Sequence, residues 1–479
     1  MKIAFLLAVL AYAAILWAAG LGRARLRAGL DSFFLASRAI GPGRVAFSLC
    51  ASWIGAASLL VSTDEASRDG LSAIWIIGVP AVATLLVLLA LVRPVRAASG
   101  RTLSELMRDR YGRAAETATT ALVVWYMTVL AASQLVAAGS FMRVFLGTGP
   151  RLGMAAAVAV VIAYSAAGGL KAVARTHVVQ FALLVAGVAA MAAHLASRVP
   201  WSAVESAAAR LGKTSYFSIL AGGGRSLLIA ASFLLAWTIS PIAWQRMQAA
   251  RTEGAARRGL AAAALLLGLF YAAIVAVGML FLPFFPDGAT GVPLVTRFAS
   301  AGAGPLLGGL VFVTVLAAIL STLDAALNAG AFTLTKDILG RRAAGPGASD
   351  RRGVGLARVV SVGLAAAAFL IAARLGDILK TLGLASTIMA EGLLVPGLAA
   401  LFLKKRAPLA GLFSLALGGG YALVSFLNDS GARVLTLPPW PRSLPLGVAL
   451  GAAGFLLGLA LNLTFPAKSL ERRGHGGKS

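Results

Sequence analysis

Ala51-Ser52-Trp53-Ile54-Gly55-Ala56-Ala57-Ser58-Leu59 and its counterpart Trp237-Thr238-Ile239-Ser240-Pro241-Ile242 interrupt two otherwise apolar runs with small, hydroxyl-bearing or helix-breaking residues. One such interruption says little, because glycine and proline are common in membrane helices. Two at matching places say more. Unwinding inside a bilayer frees N–H and C=O groups that need partners, and a substrate or ion can be that partner. Each interruption opens a run of five apolar segments, and an odd number of spans makes the two runs cross the membrane in opposite senses. The expected architecture is an all-α polytopic membrane protein built on an inverted repeat.

Composition agrees. Of 479 residues, 59% are hydrophobic and 13% charged, and the mean hydropathy is +0.87. Apolar runs of membrane length predict about thirteen spans, near 2–20, 43–66, 69–92, 117–145, 152–169, 176–196, 225–246, 259–285, 305–329, 355–376, 381–403, 407–427 and 444–464. The runs are continuous, rich in Ala and Leu, and too long for barrel strands. The expected division is 1–42 as a first span and cytoplasmic link, 43–196 and 225–403 as the two repeats, and 197–224 as an outer loop. Residues 404–465 follow as two peripheral spans and 466–479 as a basic cytoplasmic tail.

The net charge of +26 raises nucleic acid as a partner, but its distribution argues against it. Alternate loops collect 30 of the 43 Lys and Arg, which predicts an outside N-terminus, a cytoplasmic C-terminus and a multi-pass protein of the cell (inner) membrane. The charge then orients the chain and faces anionic lipid. Residues 1–20 read as a retained first span, since Arg23, Arg25 and Arg27 follow the apolar run at once. Segment 102–113 reads as an amphipathic helix on the inner surface and 344–355 as a flexible loop. The lone cysteine, Cys50, excludes a disulfide framework.

Polar groups inside the spans are the candidate functional residues. Ser321, Thr322 and Asp324 lie within an apolar stretch, where adjacent hydroxyls either bond back to their own helix or supply hard oxygen ligands to a small cation. Glu391 sits in the eleventh span, facing either the cavity or a neighbouring helix. Asp64 and Glu65 read as solvated helix ends or weak attractors of cations. His194 and Met191 read as ordinary outer-end residues. Trp53, Trp75 and Trp237 are candidates to line a central cavity.

Several motifs carry a resemblance. Asp31-Ser32-Phe33-Phe34-Leu35-Ala36-Ser37-Arg38, Ala51-Ser52-Trp53-Ile54-Gly55 and Tyr164-Ser165-Ala166-Ala167-Gly168-Gly169-Leu170-Lys171-Ala172-Val173 resemble signatures of the sodium:solute symporter family. So do Thr176 with Gln180, Pro241 with Trp244-Gln245-Arg246 and Ala249-Ala250, and Ser321-Thr322 with Asp324. They run in order across nearly the whole chain. The resemblance implies a LeuT-like fold of five plus five helices with one helix before and two after. It also implies a sodium site formed by the carbonyls of Ala51, Ile54 and Ala318 and the hydroxyls of Ser321 and Thr322.

One departure bears on stoichiometry. Relatives with an additional sodium site have Asp where this chain has His177, and hydroxyl residues where it has Asp324 and Ala325. The additional site is therefore expected to be lost. His177 then either pairs with Asp324 as an inner gate or is a solvent-exposed histidine at a helix end.

The residues offered to a solute are Ser52, Trp53, Ser58, Trp75, Trp237, Thr238, Ser240 and Glu391. They suit a small solute with an apolar body, such as an amino acid, a proline-like compound or a short monocarboxylate, better than a sugar. Broken-helix N-termini can hold a carboxylate, and Glu391 an amine. No H-E-x-x-H, G-x-S-x-G or Walker sequence is present, so no enzyme is expected. The expected function is sodium-coupled symport by alternating access with Na+ as the coupling ion and no obligatory protein partner. A proton-coupled or uncoupled carrier of the same fold, or a transporter-derived sensor, is the alternative.

Overall fold

The computed structural model describes residues 2–21, 34–98, 102–339, 348–432 and 435–464. The helices are α1 (Lys2–Leu21), α2 (Pro42–Trp53), α3 (Ser62–Asp69), α4 (Gly78–Ala97), α5 (Leu103–Tyr111), α6 (Arg113–Leu146), α7 (Pro150–Ala196), α8 (Trp201–Arg210), α9 (Gly223–Thr238) and α10 (Pro241–Ala249). They continue as α11 (Glu253–Phe281), α12 (Leu294–Arg297), α13 (Gly304–Leu339), α14 (Ala348–Ala372), α15 (Ile378–Gly392), α16 (Leu394–Phe402), α17 (Pro408–Ser414), α18 (Gly420–Asp429) and α19 (Leu444–Thr464). Among the described residues the only strand-like pairing is a single bridge, Ile40 with Ala250. This follows from the solvent, because an apolar segment in lipid must satisfy its own backbone.

Eight helices are long and apolar enough to cross a membrane, or up to ten if each bent pair counts as one span. Two more apolar helices, Phe5–Ala19 and Pro150–Ser165, are shorter. The thirteen spans expected from hydropathy are thus not thirteen separately long helices, because several apolar runs are divided by breaks. α2 stops at Trp53, and Ile54 leaves helical geometry (φ −81°, ψ 77°) before a π-helical turn, Ala57–Val61, leads into α3. α9 and α10 meet at a 40° bend with Pro241 opening α10, where its missing N–H costs nothing. α15 and α16 bend by 46°, and α7 breaks at Gly169, whose φ of 57° suits only glycine.

α6 and α13 are the enclosed helices. Their apolar windows are 78% and 72% buried, against 28% for α14 and 33% for α19. α13 packs on α6 and α7, α11 on α2 and α4, and α15 on α6 and α9. The short helix expected near 102–113 is α5, begun by a capping box between Thr102 and Glu105. It is tied to the α16–α17 region by Tyr111 OH donating to the Pro396 carbonyl at 2.9 Å and by Ala407 N donating to the Arg110 carbonyl at 2.9 Å. The flexible loop expected at 344–355 is corrected in part: 348–355 begin α14, whose helix-compatible residues extend the following apolar run, and 344–347 lie outside the described residues. Asp31, Ser32, Phe33, the arginines at 23, 25 and 27, and the tail 466–479 also lie outside them.

Candidate functional site

The first break brings α2 against the middle of α13. Ser321 Oγ donates to the Ala51 carbonyl at 2.7 Å and to the Ala318 carbonyl at 3.1 Å, while Thr322 Oγ1 donates to the Ser52 carbonyl at 3.1 Å. The hydroxyls therefore do more than bond back to their own helix. Ala51, Ala318 and Ser321 converge as the sequence suggested, Ile54 is the non-helical residue beside them, and Thr322 reaches Ser52. All six are buried, and every oxygen offered is neutral. Such a set suits a monovalent cation better than a divalent one, which recruits carboxylates.

Gly55 is needed here by close approach, since a Cβ on it would lie 2.9 Å from both Thr322 Oγ1 and Gln134 Oε1. Gln134 Oε1 accepts from Ala56 N at 3.0 Å and so caps the backbone freed by the break. Sequence reasoning missed Gln134. The available signal was a buried amide within the apolar run of α6.

A small cavity of about 30 Å³ adjoins these residues, with Ser52, Trp53, Ser58, Tyr126, Trp237 and Ser240 among its walls. It has room for a water or two, so a solute enters only when the walls part. Trp53 and Trp237 stack with centroids 5.6 Å apart. Ser58 Oγ lies 2.8 Å from Tyr271 OH, and the buried Ser240 hydroxyl adjoins Tyr126. Trp75 and Thr238 are not among the cavity walls. The Trp75 indole donates to the Ile219 carbonyl of the 197–224 loop at 2.9 Å, and Thr238 Oγ1 bonds back to Leu234.

Three more expectations change. Glu391 does not face the cavity: it is buried against Gly447 of α19, and Ser443 Oγ donates to its Oε1 at 3.3 Å. A glycine on the peripheral helix makes that room. His177 is not a solvent-exposed helix end, because it is fully buried with Nε2 2.8 Å from Asp324 Oδ1. Asp64 and Glu65 are not plainly solvated, since Asp64 Oδ1 accepts from Leu294 N at 2.8 Å and Glu65 is buried and paired with Arg68. They border a hollow of about 670 Å³ that also touches Arg225, Asp377, Lys380 and Asp429.

The profile of the sodium:solute symporter family matches residues 33–418. Among solved structures, a Na+-coupled sialic acid symporter in a substrate-bound outward-open state aligns with a TM-score of 0.78 at 16% identity, covering 96% of this chain and 97% of that one. MhsT in complex with L-phenylalanine gives 0.51 at 16% identity, covering 87% and 97%. A mutant manganese transporter of Eremococcus coleocola gives 0.50 at 14% identity, covering 92% and 96%. No curated protein matches the sequence. At these identities the structural likeness speaks for the fold alone, which is LeuT-like and entirely helical in its spans. The family match covers well over half of the chain and is independent of that likeness, so the chain belongs to the sodium:solute symporter family and is a membrane transporter, not an enzyme.

Proposed function

We propose that this transporter couples inward movement of a small solute to sodium. The observation that carries the reading is the convergence of Ala51 O, Ala318 O and the Ser321 hydroxyl across two helices, one of them broken at that point. The donor set fits the ion: the hydroxyl proton that now joins Ser321 to both carbonyls is what a cation would replace, and Ile54 and Thr322 complete the ligands. The ion supplies charge. At about 100 mV, one charge moved inward with a neutral solute is worth roughly 2.3 kcal/mol, enough for about 50-fold accumulation before any sodium gradient is added, whereas the charge of a monocarboxylate cancels that of one sodium and leaves the sodium gradient as the driving force.

The solute we infer is small, with an apolar body held between Trp53 and Trp237 and a polar end near Ser240, Tyr126 and Gln134. None of the named cavity walls is charged. With Glu391 turned toward α19, the expected counter-charge for an amine is missing, which favours a short monocarboxylate over an amino acid. The arginine-rich loops are read as cytoplasmic, with the N-terminus outside. His177 and Ala325, standing where a second sodium site would need oxygen ligands, support one sodium per solute.

The test is uptake into vesicles reconstituted with the purified protein, using a panel of labelled solutes and separately imposed sodium and proton gradients. The Ser321→Ala, Thr322→Ala double variant should need at least about tenfold more sodium for half-maximal uptake. Unchanged sodium dependence would remove the ion-site assignment. Uptake driven equally well by a proton gradient alone would favour the proton-coupled reading.

A further inference from the structure

A second polar group is buried on the arginine-rich side of the breaks, apart from the ion ligands and the cavity walls. Ser48 stands on α2 and Arg246 on α10, while Tyr164 and His177 stand on α7 and Asp324 on α13. Arg246, His177 and Asp324 are fully buried, and Ser48 and Tyr164 nearly so. Arg246 Nε donates to Ser48 Oγ at 3.3 Å, and Ser48 Oγ lies 3.1 Å from His177 Nδ1. His177 Nε2 lies 2.8 Å from Asp324 Oδ1, and Tyr164 OH donates to Asp324 Oδ2 at 2.5 Å.

These contacts have one continuous direction of donation. An ionised Asp324 only accepts, so His177 presents its Nε2–H; Nδ1 then accepts from the Ser48 hydroxyl, whose oxygen accepts from Arg246. The guanidinium at one end balances the carboxylate at the other. Buried charges of this kind are tolerated when paired through hydrogen bonds, and separating them leaves each stranded. Ser48 is the joint, since it both accepts and donates.

The chain joins parts that the breaks allow to move separately. α2 and α10 are the halves of the two interrupted helices that adjoin the arginine-rich loops, whereas α13 runs unbroken from Gly304 to Leu339. The ion ligands are mechanically close. Asp324 lies two residues past Thr322, and the Ser48 carbonyl accepts from the hydroxyl of Ser52, whose own carbonyl takes Thr322 Oγ1.

We propose that Ser48 and Arg246, acting through His177 on Asp324, are positioning residues that hold α2 and α10, the halves of both broken helices beside the arginine-rich loops, against α7 and α13. They thereby set how readily that side opens. The inference rests on the transporter reading above for the meaning of opening, but its test does not. Hydrogen–deuterium exchange is measured on the full chain in lipid nanodiscs, in buffer free of sodium and solute.

Ser48→Ala should accelerate exchange about tenfold or more in 42–53 and 241–249 and leave 304–339 unchanged. Ser48→Thr, which keeps the hydroxyl, should restore the slow rate. His177→Phe, which keeps the ring and removes both nitrogens, should reproduce the alanine pattern. Unchanged exchange in both Ser48→Ala and His177→Phe would overturn the proposal, as would acceleration of 304–339 to the same degree, the mark of a general loss of stability. Because sodium is absent, a failure here leaves the Ser321–Thr322 assignment untouched, and a failure of that assignment leaves this result readable.

Discussion

The two ends of the transporter are held in different ways. At the arginine-rich end, contacts run between helices and largely through the main chain: Ile40 N donates to the Ala249 carbonyl at 3.1 Å and Arg251 N to the Ile40 carbonyl at 2.9 Å. Arg96 Nη1 donates to the carbonyls of Met247 and Ala250 at 2.6 and 2.9 Å, and Gln245 Nε2 reaches Phe34 O and Asn328 Oδ1. At the opposite end a hollow of about 670 Å³ separates the helices, and Arg68 is paired with Glu65 and Asp69 of its own helix. Pairs within one helix tie no second helix to the first, and the exposed Arg68–Asp69 pair contributes little to stability. One end is therefore shut by ties that must be exchanged for others, whereas at the other end ties such as Leu294 N to Asp64 Oδ1 border an open hollow. The difference amounts to an outward-facing arrangement under the proposed orientation, in which closing the hollow has to compensate for undoing the ties.

The largest expected effect comes from weakening the shut end. Arg96→Ala removes two charge-assisted bonds to the carbonyls of Met247 and Ala250 at the end of α10, each worth about 1.5–3 kcal/mol. The outward-facing fraction should fall, and the KM for external solute in initial-rate uptake should rise about fivefold or more. An unaltered KM would mean that the two ends do not exchange stability. A twofold question comes next: the sodium ions moved per labelled solute should be one, read as one net charge with a neutral solute and none with a monocarboxylate. A ratio of two would show that His177 and Asp324 leave room for a second ion. The smallest effect is expected from Glu391→Gln, which should change the uptake KM by less than about twofold because the carboxylate faces α19. Gly447→Ala, placing a Cβ 2.4 Å from Glu391 Cδ, should instead lower thermal stability by about 1–3 kcal/mol without a selective effect on KM. A large KM change in Glu391→Gln alone would restore a role for that carboxylate in solute handling.

What was legible in the sequence was local. The breaks near Ile54 and Pro241 announce themselves through Gly55, which weakens a helix, and Pro241, which cannot continue one. Ser321 and Thr322 announce themselves as hydroxyls in an apolar run, and the Thr102–Glu105 capping box marks the start of α5. What was hidden depends on how a helix is rotated about its axis. In α6, apolar on every side, nothing in the spacing shows that Gln134 points at the first break. Glu391 likewise gives no sign of which neighbour it meets, because Gly447 is more than fifty residues away in the chain. Trp75 looks like Trp53 in composition, yet a turn of 3-10 helix, Gly70–Trp75, aims it at the loop carbonyl of Ile219. The pairing of His177 with Asp324 was legible as an option and needed the fold to bring α7 onto α13.

The contact beneath Glu391 carries a further consequence. Gly447, Gly451, Gly454 and Gly458 form a bare seam on α19, and a Cβ on any of them would lie within about 3 Å of Glu391 or of the backbone of Leu409 or Phe413. Backbone rests on backbone there, as close packing of small residues in membranes allows. The last two spans, α17–α18 and α19, are thus keyed to α15 just before its 46° bend into α16. Any swing of that bend must drag a two-helix raft sideways through lipid or shear the seam. The viscosity and lateral pressure of the surrounding bilayer then become part of the load against which each transport cycle works.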